Sequence, residues 1–192
     1  MPEAIYETIV TTCSADGTVH VAPMGVRYRG DDVLLMPFKP STTLANVLAT
    51  GRAVLNVVTD VRVFAGCVSG QCRDWPTEPV DGGVRLACAI GHTSLVLREH
   101  VDDVQRPRLR LARVAEARHG DFRGFNRAQA AVIEAAVLVS RLHLLPAEKI
   151  DQELSYLQIA IDKTAGEAEA QAWSWLQQAV ARHRAAATAG AR

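Results

Sequence analysis

The chain has 192 residues, of which 48% are hydrophobic and 22% are charged. This composition favours a folded globular protein over a disordered one. The 21 basic and 21 acidic side chains cancel, so the net charge gives no support for broad attraction to nucleic acid or to an anionic membrane.

The N-terminal segment Met1–Ala4 has neither the basic flank nor the apolar run of a signal peptide. Later apolar runs are interrupted by charged residues before they reach the length of a membrane span. We therefore expect a cytoplasmic protein with no membrane partner and no nucleic-acid partner. Its partner is expected to be small or uncharged.

Short strands separated by turns dominate the first half of the chain. Ile5–Cys13 is rich in β-branched residues, Asp16-Gly17 supplies a tight turn, and Val19–Arg29 continues in extended form, which predicts a hairpin. The turns that follow predict an antiparallel meander interrupted by one helix. Further strands are predicted at Val33–Met36, Ala53–Val58, Thr93–Arg98 and Arg108–Ala117, and the helix is predicted at Thr42–Ala49.

The segment from Gly66 to Gly83 has the composition of a long loop. Glycines and prolines recur along it, and Trp75 is its single aromatic residue. Such segments are typical of surface excursions rather than of helices or strands. We expect a flexible flap over the mouth of the barrel.

After Gly120 the composition changes to that of alanine-rich helices. Pro146 suits the first turn of the second of these helices. The sequence thus predicts an α+β protein in which residues 1–119 form an antiparallel barrel of about six strands and residues 120–192 form a C-terminal helical region. The three helices are predicted at Arg127–Leu144, Ala147–Asp162 and Glu167–Ala187.

A phosphate-sized site is predicted at the start of the first helix. Ser41, Thr42 and Thr43 place three hydroxyl groups where the backbone N–H groups of a helix lack partners and the helix dipole is positive. Lys39 adds a positive charge just before the helix, and Asn46 lies one turn further along the same face. The alternative is that Ser41 only caps the helix, which needs no ligand.

Several motifs resemble those of the FMN-binding split-barrel proteins, and within them an uncharacterised flavin-nucleotide-binding family of archaea and some bacteria. The resemblance covers most of the chain. Its N-terminal motifs are Glu7-Thr8-Ile9-Val10-Thr11-Thr12, Asp16-Gly17, Ala22-Pro23-Met24-Gly25-Val26 and Pro37-Phe38 followed by Ser41-x-Thr43-x-x-Asn46, and its C-terminal motif runs from Gly124-Phe125-Asn126-Arg127-Ala128 to Arg141-Leu142-His143.

The resemblance implies an FMN-binding split β-barrel followed by a helical region. By motif, it implies that the FMN phosphate is held by Ser41, Thr42, Thr43 and Asn46. It also implies that the isoalloxazine ring lies along the strand that carries the Ala-Pro-x-Gly stretch. The residues placed beside the ring are Val21, Ala22, Pro23 and Met24.

One charged position interrupts the apolar helix at Val132–Val139. Glu134 is predicted to be buried there, and Arg127 and Arg141 lie seven residues to either side of it on the same stripe. One interpretation assigns Arg127 to the flavin site, and it assigns Glu134 and Arg141, together with the apolar helix, to the contact of a homodimer. The other is a structural ion network without a ligand.

Metal and disulfide sites are not expected. Among the four cysteines, Cys13, Cys67, Cys72 and Cys88, none forms a C-x-x-C pair, and a reducing compartment disfavours disulfides. The alternative is zinc at Cys67 and Cys72, in the predicted loop. No spacing of histidines indicates a metal site either.

The predicted function is an FMN-binding flavoprotein, in the first place an oxidoreductase of unassigned substrate. No side chain is clearly catalytic, which suits chemistry performed on the flavin itself. It suits equally a non-catalytic flavin carrier or sensor, and a structural homodimer without cofactor is the third alternative.

Overall fold

A computed structural model describes residues 3–190 of the chain. Its contacts divide the chain into two units. The barrel unit comprises the chain up to Thr59 together with Asp74–Phe122, and the helical unit comprises Asp60–Arg73 together with the chain from Arg123 onward. The helical unit therefore takes in a short segment from the first half of the sequence.

The barrel unit contains a closed barrel of six strands, and every neighbouring pair in it is antiparallel. The predicted antiparallel barrel and α+β class are confirmed. Around the barrel the order is β1, β2, β3, β8, β7, β4, and β4 returns to β1. The six strands are β1 (Tyr6–Cys13), β2 (Val19–Arg29), β3 (Asp32–Leu35), β4 (Arg52–Val57), β7 (Gly91–Val101) and β8 (Arg108–Arg118).

One end of the barrel is closed by α1 (Thr42–Thr50), which follows the last residue of β3. Leu44 and Val47 of this helix are buried in the barrel core. The helix ends at Gly51, whose positive φ of 69° is one that glycine adopts without strain. We call this the closed end. The other core residues are Val10, Val26, Val33, Leu35, Ala53, Leu55, Leu95, Leu109 and Leu111.

The expected flap is wrong, because much of Gly66–Gly83 is regular structure. β5 (Thr77–Val80) and β6 (Gly83–Leu86) form a separate hairpin. The side-chain Oδ1 of the buried Asn56 accepts a hydrogen bond from the Leu86 N–H at 2.8 Å, and the Ser94 hydroxyl donates to the Asp81 backbone carbonyl at 2.6 Å. These bonds hold the hairpin to β4 and β7. Because the partners lie outside the segment, its own glycines and prolines did not predict the hairpin.

The sequence prediction also missed α2 (Arg62–Ser69). This helix ends at Gly70, with φ at 74°. Within the helical unit it packs against α3 (Arg127–Ser140) and α5 (Glu167–Gly190), and the Arg182 guanidinium donates to the Ser69 carbonyl at 3.0 Å. Cys67 therefore lies in a helix rather than in a loop. Within the described residues, none of the four cysteines lies in a disulfide bond.

Three long helices complete the helical unit, as predicted, although the first of them ends earlier than expected. Pro146 is the N-cap of the second, one position before the predicted first turn. Trp173 is buried in the third, and its indole N–H donates to the Gln158 side chain at 2.7 Å. The helices are α3 (Arg127–Ser140), α4 (Ala147–Thr164) and α5 (Glu167–Gly190).

The prediction that Glu134 is buried is wrong, because Arg127, Glu134 and the C-cap Arg141 are all exposed. Their assignment to a dimer contact stays a prediction. The apolar side of α3, including Val132 and Val139, is instead buried within the helical unit, where α3 packs against α2, α4 and α5. Glu134 thus needs no buried partner, and these apolar residues leave no free face for a dimer contact.

Within residues 3–190, no helix is both long enough and apolar enough to cross a membrane. The same residues contain no group of three or more His, Cys, Asp and Glu side chains that could hold a metal ion.

Candidate functional site

The start of α1 combines a side-chain cap with unpaired backbone donors. The Ser41 hydroxyl accepts a hydrogen bond from the Leu44 N–H at 3.1 Å, so Ser41 is the N-cap. Thr42 is exposed, whereas Thr43 is only 1% exposed. As the first residues of the helix, Thr42 and Thr43 have N–H groups with no acceptor inside it. This turn therefore presents two backbone donors, one exposed hydroxyl and the positive end of the helix dipole.

Asn46 attaches α1 to the barrel wall. It is buried, and its amide group donates a hydrogen bond to the hydroxyl of Thr12 on β1 at 3.0 Å. The two residues are 34 positions apart in the sequence. A buried hydrogen bond between side chains fixes both of their positions, because breaking it leaves a polar group without a partner. The direct role of Asn46 in this structure is to orient the helix.

The loop that leads into α1 is held by the turn between β7 and β8. The Lys39 ammonium lies 2.6 Å from the Asp102 carboxylate, and the Lys39 N–H donates to the Gln105 carbonyl at 2.9 Å. Arg106 donates to the Met36 carbonyl at 3.2 Å, and its guanidinium lies 4.5 Å from the centre of the Phe38 ring.

This attachment also sets the electrostatics of the loop. The Lys39 ammonium, followed by the Asp103 backbone N–H, lowers the pKa of the exposed Asp102 carboxyl below its usual value of 3.8. Asp102 is therefore ionised at neutral pH and partly offsets the charge of Lys39. The side chain of Lys39 is committed to a protein partner in this structure.

The segment Val21–Met24 of β2 is half-buried and pairs with β1 along one edge. The hydroxyl of Thr8 donates to the Met24 carbonyl at 3.0 Å. Strand β3 pairs with β2 from Val26 onward and does not extend to Ala22, Pro23 or Met24. No strand in the described part of the barrel lies along that second edge at these three residues, and Pro23 has no N–H to offer a neighbouring strand.

The structure brings most of the predicted site residues together in the barrel unit. The Met24 side chain packs against the core cluster that contains Leu44 of α1, and Asn46 contacts Thr12, whose backbone pairs with His20 of β2. Arg127 lies in the helical unit at the exposed start of α3. Its assignment to the flavin site stays a prediction.

Sequence reasoning missed the residues that support the loop and the helix. These are Thr12, Asp102, Gln105 and Arg106. Lys39 and Asp102 are 63 residues apart, so no local pattern links them. The only available signal was the polar character of the β7–β8 turn, which is common to most turns.

Two family models and several solved structures match this chain. The N-terminal domain model of a family described as a protein of unknown function, DUF447, matches residues 6–120, and the model of its C-terminal part matches residues 126–178. The FMN-bound protein MM1853 from Methanosarcina mazei, which carries the same family description, is 26% identical with a TM-score of 0.80. That match covers 93% of this chain and 96% of the archaeal one.

More distant structures share the fold. The 2-nitrobenzoate 2-nitroreductase NbaA from Pseudomonas fluorescens is 21% identical with a TM-score of 0.52, over 62% of this chain and 66% of that one. A flavoredoxin from Methanosarcina acetivorans is 12% identical with a TM-score of 0.52, over 60% of this chain and 69% of that one. At such identities the likeness shows the fold alone.

Proposed function

The chain belongs to the DUF447 protein family, and we propose that it is a flavoprotein that binds FMN in its split barrel. The observation that carries this proposal is the match to an FMN-bound protein of the same family description along 93% of the chain. The helix start at α1 and the edge of β2 at Ala22, Pro23 and Met24 also provide groups that suit this cofactor.

The start of α1 suits the FMN phosphate. A phosphate monoester carries nearly two negative charges at neutral pH and is stabilised by backbone N–H groups at a helix N-terminus. We assign direct contacts to the Thr42 hydroxyl and to the N–H groups of Thr42 and Thr43. Ser41 and Asn46 keep this turn in position through the cap and the bond to Thr12. Lys39 adds positive charge nearby, moderated by Asp102.

The edge of β2 at Ala22, Pro23 and Met24, which β3 does not reach, suits the flavin ring. The pyrimidine side of the ring is flat and carries hydrogen-bonding groups, and a strand edge without a neighbouring strand offers backbone groups to bind it. We propose that the ring lies along Val21, Ala22, Pro23 and Met24. The half-buried state of these residues matches a surface that a ligand covers.

The further proposal is that the protein is an oxidoreductase. Bound FMN supplies the electron-transfer chemistry, while the protein supplies position and electrostatics. In this arrangement the strand edge orients the ring and α1 anchors its phosphate. No side chain is assigned a catalytic role. A flavin carrier or sensor would use the same two contacts without turnover.

We also propose that the protein is a homodimer, as split barrels commonly are. The interface does not involve the apolar residues of α3, because these are buried within their own helical unit. Light scattering on the FMN-loaded protein should give a mass twice that of the 20.8 kDa chain, and a monomeric mass at micromolar concentration would end this proposal.

The test of the phosphate site is Thr42→Glu, because Thr42 is exposed and its replacement opens no cavity. A carboxylate in the first turn of a helix is favourable for folding but repels a dianionic phosphate. We expect the apo variant to keep or raise the parent's Tm and to bind FMN about a hundredfold more weakly, as expected when a few kcal/mol of charge-assisted contacts are lost. Flavin fluorescence titration measures both affinities.

Thr42→Gln is the matched control, since it has the same length without the charge, and it should bind FMN within a few-fold of the parent. Riboflavin, which lacks the phosphate, should bind the parent weakly, and its affinity should be the same for the parent and for both variants. Equal FMN affinity of parent and Thr42→Glu would overturn the site. An enzyme should oxidise reduced nicotinamide when it is loaded with FMN and should not do so without FMN. A flavin carrier should not oxidise reduced nicotinamide in either form.

A further inference from the structure

The end of the barrel opposite α1 contains an open cavity of about 620 Å³. Strand β3 runs from Asp32, which pairs with Ala112 of β8, to Leu35, which pairs with Leu109. The helix α1 follows Leu35, whereas the cavity is lined by Val57 at the end of β4, Gly91 at the start of β7 and the last residues of β8. The cavity therefore lies at the far end of the barrel from the proposed phosphate site. We call it the open end.

A bulge in β8 changes which side chains face the interior at the open end. Leu95 of β7 pairs with Arg113, but its neighbour Ser94 pairs with Ala115, so Val114 is the extra residue. Leu109 and Leu111 are core residues, and alternation continues their face to Arg113. Beyond the extra residue the alternation shifts by one position. Charged side chains consequently line this end of the barrel, and they are Arg113, Glu116 and Arg118.

The same alternation brings apolar groups to the cavity from other strands. Tyr28 lies two residues after the core residue Val26, and Val57 lies two residues after the core residue Leu55. Both side chains line the cavity and both are partly exposed, at 41% and 44%. Ile90 and Phe122 complete the apolar walls.

The charges at the open end do not cancel. Arg113 forms an ion pair with Glu116, whereas Arg118 makes no ion pair with any residue from 3 to 190. Burial raises the pKa of Tyr28 above 10.0, so its hydroxyl stays protonated as a hydrogen-bond donor. The cavity thus presents one surplus positive charge and a neutral hydroxyl between apolar walls.

We propose that the open end of the barrel binds a small organic anion that carries one carboxylate on a compact apolar body. Arg118 pairs with the carboxylate, and Val57, Ile90, Tyr28 and Phe122 contact the apolar body. The cavity volume lies within the range of about 300 to 1,000 Å³ that is usual for small-molecule sites, and barrel mouths commonly hold such sites. The site is separate from the proposed flavin site and does not depend on it.

The probe for this site is 2-naphthoate, with 2-naphthamide as its uncharged isostere. Calorimetry on the full chain, saturated with FMN, should show one naphthoate per chain and at least about tenfold weaker binding of the amide, because the amide forms no charge-assisted bond. Arg118→Gln should lower naphthoate affinity by about tenfold and leave amide affinity unchanged. Arg118 is exposed, so its replacement should not alter the circular dichroism spectrum.

Arg98→Gln is the matched control, since Arg98 is an exposed arginine of β7 outside the cavity, and it should bind naphthoate as the parent does. The proposal fails if naphthoate does not bind at millimolar concentration, if the amide binds equally well, or if Arg98→Gln weakens binding as much as Arg118→Gln. The titration is repeated on apo protein. Naphthoate binding that FMN abolishes would place the probe in the flavin site and would overturn the proposal.

Discussion

The two ends of the barrel are built from the same strands but are finished differently. At the closed end, Leu44 and Val47 of α1 complete the apolar core. At the open end the described residues of the barrel unit leave a cavity, and the bulge at Val114 directs charged side chains inward. Strand alternation by itself gives one interior face from end to end. The difference between the ends therefore comes from one inserted helix and one inserted residue.

The closed end of the barrel contributes mainly to stability, whereas the open end is suited to binding. Interior positions near the closed end are fully covered, so their side chains contribute packing energy. Interior positions at the open end keep contact with solvent, so charged groups there retain hydration and are available to a ligand. The proposed phosphate contact also lies on the outer surface of α1 rather than in the core it closes.

The largest expected effect comes from truncating one apolar residue at each end. Leu35→Ala removes a side chain that is 0% exposed beside α1, and it should lower the free energy of unfolding by about 2–5 kcal/mol. Val57→Ala removes one that is 44% exposed at the open end, and it should change that free energy by no more than about 0.5 kcal/mol.

Urea unfolding followed by circular dichroism measures both values. Equal losses for the two variants would mean that the open end is packed as tightly as the closed end, and the contrast between the ends would be lost. The effects on naphthoate affinity should be the opposite of those on stability, because Val57→Ala should weaken naphthoate binding and Leu35→Ala should not.

A smaller effect is expected from acid at the open end. His92 stacks on His119, with ring centres 5.0 Å apart and the His92 Nδ1 lying 2.7 Å from the His119 Nε2. Burial first, and then the nearby His119 and Arg85, lower the pKa of His92 below its usual 6.5. The folded protein therefore keeps His92 neutral over a pH range in which the unfolded chain protonates it.

The free energy of unfolding changes with pH because the folded and unfolded states bind different numbers of protons at His92. Well above pH 6.5 neither state protonates His92, and the stability is fully present. As the pH falls below 6.5 toward the lowered pKa, the unfolded state binds more protons and stability is lost. In His92→Asn the midpoint of urea unfolding should fall less steeply as the pH is lowered below 6.5. His183→Asn, at an exposed position of α5, should show the same pH dependence of the midpoint as the parent.

The carboxylates of Asp102 and Asp103 do not contribute to the pH dependence of stability between pH 5 and 6.5. Hydrogen bonds from Lys39 and from backbone N–H groups lower the pKa values of Asp102 and Asp103 below 3.8. Their contribution to the free energy of unfolding is therefore lost as the pH falls through about 3.8 toward the lowered pKa values, below the pH range of the His92 test. A slope between pH 5 and 6.5 that is identical in parent and His92→Asn would contradict the assignment to His92.

Much of the barrel and most of the helices could be predicted from the sequence, because their signals are local. Alternating apolar residues marked the long strands, and Ser41 followed by an apolar helix marked the start of α1. The same local rules failed at Thr77–Leu86, where glycine and proline indicated a loop. That hairpin depends on Asn56 and Ser94, which are remote in sequence.

For the candidate site, too, the sequence predicted which residues belong together but not which of them are exposed. Ser41, Thr42, Thr43 and Asn46 were recognised by their spacing, but which of them face outward was not. Helical periodicity predicted Arg127, Glu134 and Arg141 on one stripe, yet it gave no information on whether that stripe meets solvent or protein. Burial of the opposite side of α3 decided the question.

The sequence by itself determined the strands, the helix that begins after Ser41 and the motifs that imply FMN, since each depends on residues a few positions apart. Only the tertiary structure decided that Asp102 would hold Lys39, that Asn46 would bond to Thr12, and that the bulge would direct Arg118 into the open end. The physical reason is that these outcomes depend on strand register and on side-chain contacts across the barrel, which set which groups meet and which remain in water.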